Sequence, residues 1–257
     1  MDVEELIERY PRLYHLSEAG AWPSIAAHGL LPAAEIVSTS TLGAAEQAKV
    51  LGRPRPSMLL VDHPLLGAVT IRDQTPLRAH ILQGVLRGMS TQQWLNTLND
   101  RVFFWLHPQR LEQLLNARRN RGRPHDVLTA DTASLLSQHH ERTRLSAINS
   151  GATLYPGAPE RGPFTFRTIE DYPFTERLRH RTPQTAVVEL AVLGGVPDIA
   201  AHVISVQRRL GTVVLADLWP ADKPRMPVHP SPSATRQRER PLSVHSPESG
   251  DRPCSGA

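Results

Sequence analysis

The stretch AVVELAVLGGVPDIAAHVISV, Ala186 to Val206, reads as an apolar strand carrying one carboxylate, a glycine-proline turn and a second apolar run. Glu189 stands between Ala186, Val187, Val188 and Leu190, Ala191, Val192. A carboxylate in that setting must point off the apolar face, find a partner, or titrate at a raised pKa. The bland alternative is the solvent face of an edge strand. A second stretch about 170 residues upstream, YHLSEAGAWPSIAAHGLL from Tyr14 to Leu31, repeats the theme with His15 in a short extended run. A lone histidine there is more often a hydrogen-bonding fixture than a base.

Outward from these two runs, strand and helix patterns alternate without regularity, which points to an α+β fold rather than a doubly wound parallel sheet. The expected helices are Asp2–Arg9, Trp22–His28 closed by Gly29, Thr41–Leu51, Thr91–Leu98 capped by Ser90, Gln109–Arg118 and one capped by Asp131. The expected strands are Arg12–Leu16, Ser57–Val61, Ala68–Arg72, Arg101–Leu106, Asp126–Ala130, Thr185–Val192, Ala201–Arg208 and Thr212–Leu218. Residues 1–218 read as one domain. From residue 219 to 257 prolines recur among Ser, Arg and His with little to bury, the composition of a disordered tail.

With 257 residues, 40% hydrophobic, the chain can bury a full core. Its only cysteine, Cys254, rules out a disulfide framework and a cysteine-ligated metal, and fits a reducing cytoplasm. The acidic start MDVEELIERYPRL lacks the pattern of a signal peptide, and no run approaches the roughly 18 apolar residues of a membrane span. Glycine patterns of nucleotide P-loops and dinucleotide-binding folds are absent.

Other residues suggest binding. Arg72, in AVTIRDQ, emerges at a strand end, where its fork suits a diphosphate or an ordinary ion pair with Asp73 or another acid. INSGAT, Ile148 to Thr153, puts Ser150 beside a glycine, either as a source of backbone donors or as a plain turn. ARRNRGRPH, with Arg118, Arg119 and Arg121, offers a basic face to a nucleic acid, although such runs are usually solvated. His139 and His140 are adjacent and point to different helix faces, so no metal is expected.

Together the segments resemble ADP-ribosyltransferases related to the DarT toxins, which modify DNA. Tyr14, His15, Gly29 and Leu30 are similar to the family's first strand and the helix after it. Arg72 resembles its NAD-contacting arginine, RVFFWLHPQRLEQLL its aromatic strand and helix, and Glu189 with Pro197 its glutamate strand and turn. The chain is also similar to an uncharacterised bacterial family with YHL, IRDQ, RVFFW, INSGAT and VVELAV landmarks. The resemblance implies a split, twisted mixed sheet with flanking helices and NAD, the substrate, in the cleft. Glu189 would be catalytic, with Arg72, His15, Tyr14 and Ser150 binding NAD. A toxin or defence role, a nucleic-acid acceptor and an antitoxin partner follow as expectations. Val187 stands two residues before Glu189, so the paired glutamates of arginine-modifying members are missing. The Met-Tyr ending of the DNA-modifying toxins is also missing, and the polar stretch Asn149–Pro163 has no counterpart there. Two other classes stay open: a catalytically silent nucleotide-binding or interaction module, and an arginine-rich nucleic-acid-binding protein.

Overall fold

The computed structural model describes residues 1–219. The expected tail lies outside them except for Trp219, which ends a strand and meets Trp22 edge-on at 5.3 Å between ring centroids. Among the described residues ten strands are formed: β1 (Arg12–Glu18), β2 (Leu59–His63), β3 (Gly67–Ile71), β4 (Arg101–Trp105), β5 (Pro124–Asp131), β6 (Thr143–Ser146), β7 (Phe166–Arg167), β8 (Glu189–Leu193), β9 (Val203–Leu210) and β10 (Val213–Trp219). Eight make one sheet in the order β10-β9-β5-β1-β4-β8-β6-β7, and β2 and β3 form a separate hairpin. The fold is α+β, with helices on both faces of this sheet.

All its registered pairings are antiparallel, which corrects the mixed sheet expected from the resemblance. Here the only neighbours consecutive in the chain are β6 with β7 and the hairpin β9 with β10.

Alternation along the strands divides the side chains between two layers. Leu13, Phe104, Leu128, Leu145, Leu190 and Val192 face the main core, which the helices Val3–Arg9, Trp22–His28, Thr132–His139 and Ile199–His202 cover with Leu6, Trp22, Leu135, Leu136 and Ile199. On the opposite face two smaller clusters sit apart. Leu111 and Leu115 of helix Pro108–Asn116 cover Tyr14, Leu16 and Val127. Leu77, Leu82, Trp94, Leu95 and Leu98 cover Phe103 and Phe166. Each fully buried leucine of this kind contributes about 1.5–3 kcal/mol.

The sheet is thin at one place. β1 and β5 share seven registered pairs and β4 and β8 share five, but β1 meets β4 only at Tyr14 opposite Trp105. Past that point β1 and β4 part, leaving a seam between two four-stranded halves.

Local chemistry explains several boundaries. Ser90 caps helix Thr91–Asn99 through a full capping box with Gln93, and Asp131 accepts from the Ser134 amide at 2.9 Å to start the next helix. The expected strand Thr185–Val192 is corrected: Pro183 opens a helical turn, Pro183–Ala186, because its fixed φ suits the first position of a helix. Glu189 therefore begins β8 instead of sitting inside it. Likewise Ile199–His202 is helical and β9 starts at Val203. Gly29 has φ 89° and ψ 171°, a positive φ without the left-handed helical geometry, and a Cβ there would lie 2.5 Å from the Pro197 Cα. Beside it Leu30 and Val196 exchange backbone hydrogen bonds at 2.9 Å, so the two opening segments of sequence touch.

Candidate functional site

Antiparallel partners share a face, so the register Thr129–Tyr14–Trp105–Glu189–Ser146 is one row of side chains across the sheet. Tyr14 and Trp105 are half-buried, while Glu189 is only 4% exposed. An aromatic floor thus leads to a carboxylate at the seam. It runs between the two covering clusters.

Glu189 Oε2 accepts from the Ser150 amide at 3.1 Å. Burial pushes the Glu189 carboxyl up to about 7, against the opposing pull of Ser150 and of the Arg161 and Arg110 charges. The carboxyl therefore changes protonation near neutrality, as a general base requires. The INSGAT donor expected to meet a ligand is already engaged: the Ser150 N–H belongs to Glu189, and Ser150 is 1% exposed.

His15 lies in the seam. Its Nδ1 is 2.8 Å from the Phe103 carbonyl oxygen, and its ring is tilted against Phe104. Burial pushes its pKa down to about 4, opposed by the Phe103 carbonyl and aided by the Arg72 charge. The imidazole is neutral at pH 7. Since a carbonyl only accepts, Nδ1 carries the proton and Nε2 is left as an acceptor.

Arg72 follows β3 and crosses to the end of β1. It donates to the Leu16 carbonyl at 3.4 Å and to Asn120 Oδ1 at 3.1 Å, and its ion-pair partner is Glu18 at 3.9 Å. Of the acids open to it from sequence, Arg72 thus pairs with Glu18, while Asp73 is bound by Arg119, which also donates to Thr75. Arg118, Arg119 and Arg121 are all exposed, and Arg119 is ion-paired with Asp73.

The structure brings these residues together as two sets. His15 and Arg72 interact electrostatically on one side of β4, and Glu189, Ser150, Arg161 and Arg110 interact on the other. β1 and β8 flank β4, so their backbones are about 10 Å apart at ordinary strand spacing. His15, in register with Leu128, takes the face of Leu13 and Leu128, opposite the row of Tyr14 and Glu189, so the two side chains reach the seam from different faces of the sheet. Two surface hollows, at Ala152–Pro159 and beside helix Ala44–Gly52, do not touch Glu189. The carboxylate is covered.

Sequence reading missed Arg161, which is fully buried beside Glu189. The signal was weak, a single arginine in a polar, proline-rich stretch. It also missed a cluster away from the seam, where His139 Nε2 and His202 Nε2 meet the two oxygens of Asp198 at 2.6 and 3.1 Å. Adjacent histidines indeed diverge, with His140 meeting Glu170, but His139 finds its partners from another helix. Arg142 donates to His139 Nδ1 at 2.7 Å. An imidazole bound to a metal through Nε2 needs an acceptor at Nδ1, and arginine can only donate. The donor set therefore fits a hydrogen-bonded clasp between helices Thr132–His139 and Ile199–His202, not a metal centre.

Residues 11–203 match the model of DUF7002, a family of unknown function. The chain belongs to this family. The DUF7002 match contains His15, Arg72, Ser150, Arg161 and Glu189 together with the seam, and stops at the first residue of β9. Neither the curated proteins nor the solved structures yielded a match. Among the described residues no helix is long and apolar enough to cross a membrane.

Proposed function

We propose that this DUF7002 protein is an NAD-dependent ADP-ribosyltransferase acting on a nucleic-acid base or another non-arginine acceptor. The observation that carries the reading is the seam: one registered pair joins the half-sheets, His15 fills the gap, and the buried Glu189 lies one strand away on the row of Tyr14 and Trp105. That arrangement agrees with the split sheet and the ordered His, Arg and Glu of the DarT-related transferases.

In this reading NAD lies along the seam with its pyrophosphate at Arg72 and a ribose hydroxyl donating to His15 Nε2. The bond from ribose C1′ to nicotinamide breaks with its electron pair leaving on the nicotinamide nitrogen, and positive charge develops on the ribosyl group. The Glu189 carboxylate stabilises that charge and takes the proton from the acceptor nucleophile as the new C1′ bond forms. A base with a pKa of about 7 is half ionised at neutrality. Val187 is 1% exposed in the core, so no second carboxylate precedes Glu189 to engage a guanidinium. A toxin or defence role with an antitoxin partner extends the same reading.

The cover over Glu189 favours a second reading, a catalytically silent module that binds NAD or another nucleotide. Nicotinamide release from NAD, alone and with DNA, RNA or cell extract, separates the two. Release lost in Glu189→Gln supports the transferase. Saturable NAD binding without release under any condition supports the silent module.

A further inference from the structure

The segment that supplies the Ser150 amide to Glu189 is tied to the rest of the chain at two points. Thr153 donates its amide to the Pro76 carbonyl at 2.8 Å and its hydroxyl to Arg78 O at 3.2 Å, before the helix Ala79–Val85. Arg161 is anchored after that helix, where its amide meets Val85 O at 3.0 Å and its carbonyl accepts from Arg87 N at 2.9 Å. The next residue must be glycine, because a Cβ at Gly162 would lie 2.3 Å from the Arg87 carbonyl oxygen. Between the two anchors Leu154 and Tyr155 stand in solvent. The segment thus runs alongside the helix Ala79–Val85, tied to the chain at each end of that helix.

The Arg161 side chain closes the segment from inside. Nη1 donates to Ala152 O at 3.0 Å and Nε to Pro159 O at 3.3 Å, so one guanidinium joins both limbs of the loop. Ala152 is two residues from Ser150, whose amide holds Glu189. Nη2 has no hydrogen-bond partner although the residue is fully buried. A buried donor without an acceptor opposes closure, since opening returns it to water. The closed loop is therefore held by a side chain that is itself incompletely satisfied.

We propose that Arg161 is the positioning residue of this site, a latch that holds the Asn149–Arg161 segment shut over Glu189 and whose release admits the ligand. The function of the latch rests on the reading of Glu189 as the reactive carboxylate; its existence does not. Arg161 acts through Ser150 and the loop, not by touching substrate. Its positive charge, near enough to Glu189 for each to influence the other, also favours the ionised carboxylate.

The test uses the full chain and needs no turnover. Amide hydrogen exchange over residues 147–162 and over β5 is compared in the wild type, Arg161→Lys and Arg161→Gln. The Glu189 carboxyl is titrated by NMR with carbon-13 glutamate, assigned with Glu189→Gln. Arg161→Gln is expected to speed exchange in the loop at least tenfold with β5 unchanged, and to move the Glu189 midpoint upward. Arg161→Lys is expected to restore the midpoint but not the loop protection, since one ammonium cannot span both carbonyls. Unchanged loop exchange in Arg161→Gln, or an equal acceleration in β5, overturns the latch. Should Arg161→Gln fail to fold, native-state exchange of the wild type decides. The latch requires the Ser150, Thr153 and Arg161 amides to open together below the global unfolding free energy, and independent opening contradicts it. Loss of the latch without loss of NAD turnover, or the reverse, tells the failure of this inference from that of the transferase reading.

Discussion

Glu189 combines three features at one position: an apolar neighbourhood, a single amide partner and a titration near neutrality. Its consequence for stability follows from the sign of the shift. The unfolded carboxyl titrates near its ordinary value of 4.5 and the folded one at about 7, so between those values the folded state holds the extra proton. Stability from this group therefore falls as pH rises from 4.5 to 7, and the ionised form costs roughly 2–4 kcal/mol above that. Glu189→Gln keeps an acceptor for Ser150 without the charge. Its unfolding free energy should exceed that of the wild type at pH 8 and lose most of that advantage at pH 5, measured by denaturant titration at both. An equal effect at the two pH values would place the pKa elsewhere. His15 has the opposite character, neutral at all pH values above about 4. Transfer should accordingly follow one rising limb with a midpoint near 7, with no histidine limb between 6 and 7 in the rate against pH.

At the scale of elements, the local signals were the legible ones. Ser90 and Asp131 announce helices because a cap acts over three residues, and the capping box at Ser90 predicts a loss of about 1 kcal/mol in Ser90→Ala. A shift well under 0.5 kcal/mol in chemical denaturation would show that packing of Trp94 and Leu95 alone holds that helix. The apolar runs identified β4 and β5 for the same local reason. By contrast, Thr185 and Ala186 read as the start of a strand, although the fixed φ of Pro183 begins a helical turn over them. Strand neighbours were not legible, since alternation tells which face a residue takes and not which strand lies beside it. Thus Tyr14 and Glu189 could each be singled out, but their common row through Trp105 could not. Arg161 and the bond from Ser150 to Glu189 escaped for a related cause: a loop's partners are set by distant residues, here Val85, Arg87 and Glu189. The contact of Gly29 with Pro197 gives a second test of the fold. Gly29→Ala adds a Cβ 2.5 Å from backbone at a φ of 89°, so it should destabilise by several kcal/mol and lower the melting temperature markedly. A variant as stable as the wild type would mean that the two motif segments do not meet there.

At the scale of the molecule, the sheet is two antiparallel halves that share one pair of residues at the seam, with the main core continuous beneath them and two separate clusters above. This division puts His15 and Arg72 on one side of β4 and Glu189, held by the Ser150 amide, on the other. Arg72 is held at the end of β1 by Glu18 at 3.9 Å, the Leu16 carbonyl and Asn120, and is the cation of the set assigned to the diphosphate. Arg72→Ala should therefore raise the KM for NAD at least tenfold with a smaller change in kcat; a fall in kcat alone would move the pyrophosphate elsewhere. The central claim is that the seam holds NAD and Glu189 cleaves it. Nicotinamide release from labelled NAD by the full chain, with nucleic acid and cell extract as acceptors and Glu189→Gln in parallel, tests it most directly. The account predicts release by the wild type that falls at least a hundredfold in the variant. Undiminished release in Glu189→Gln, or none from folded wild type under any of these conditions, would contradict it.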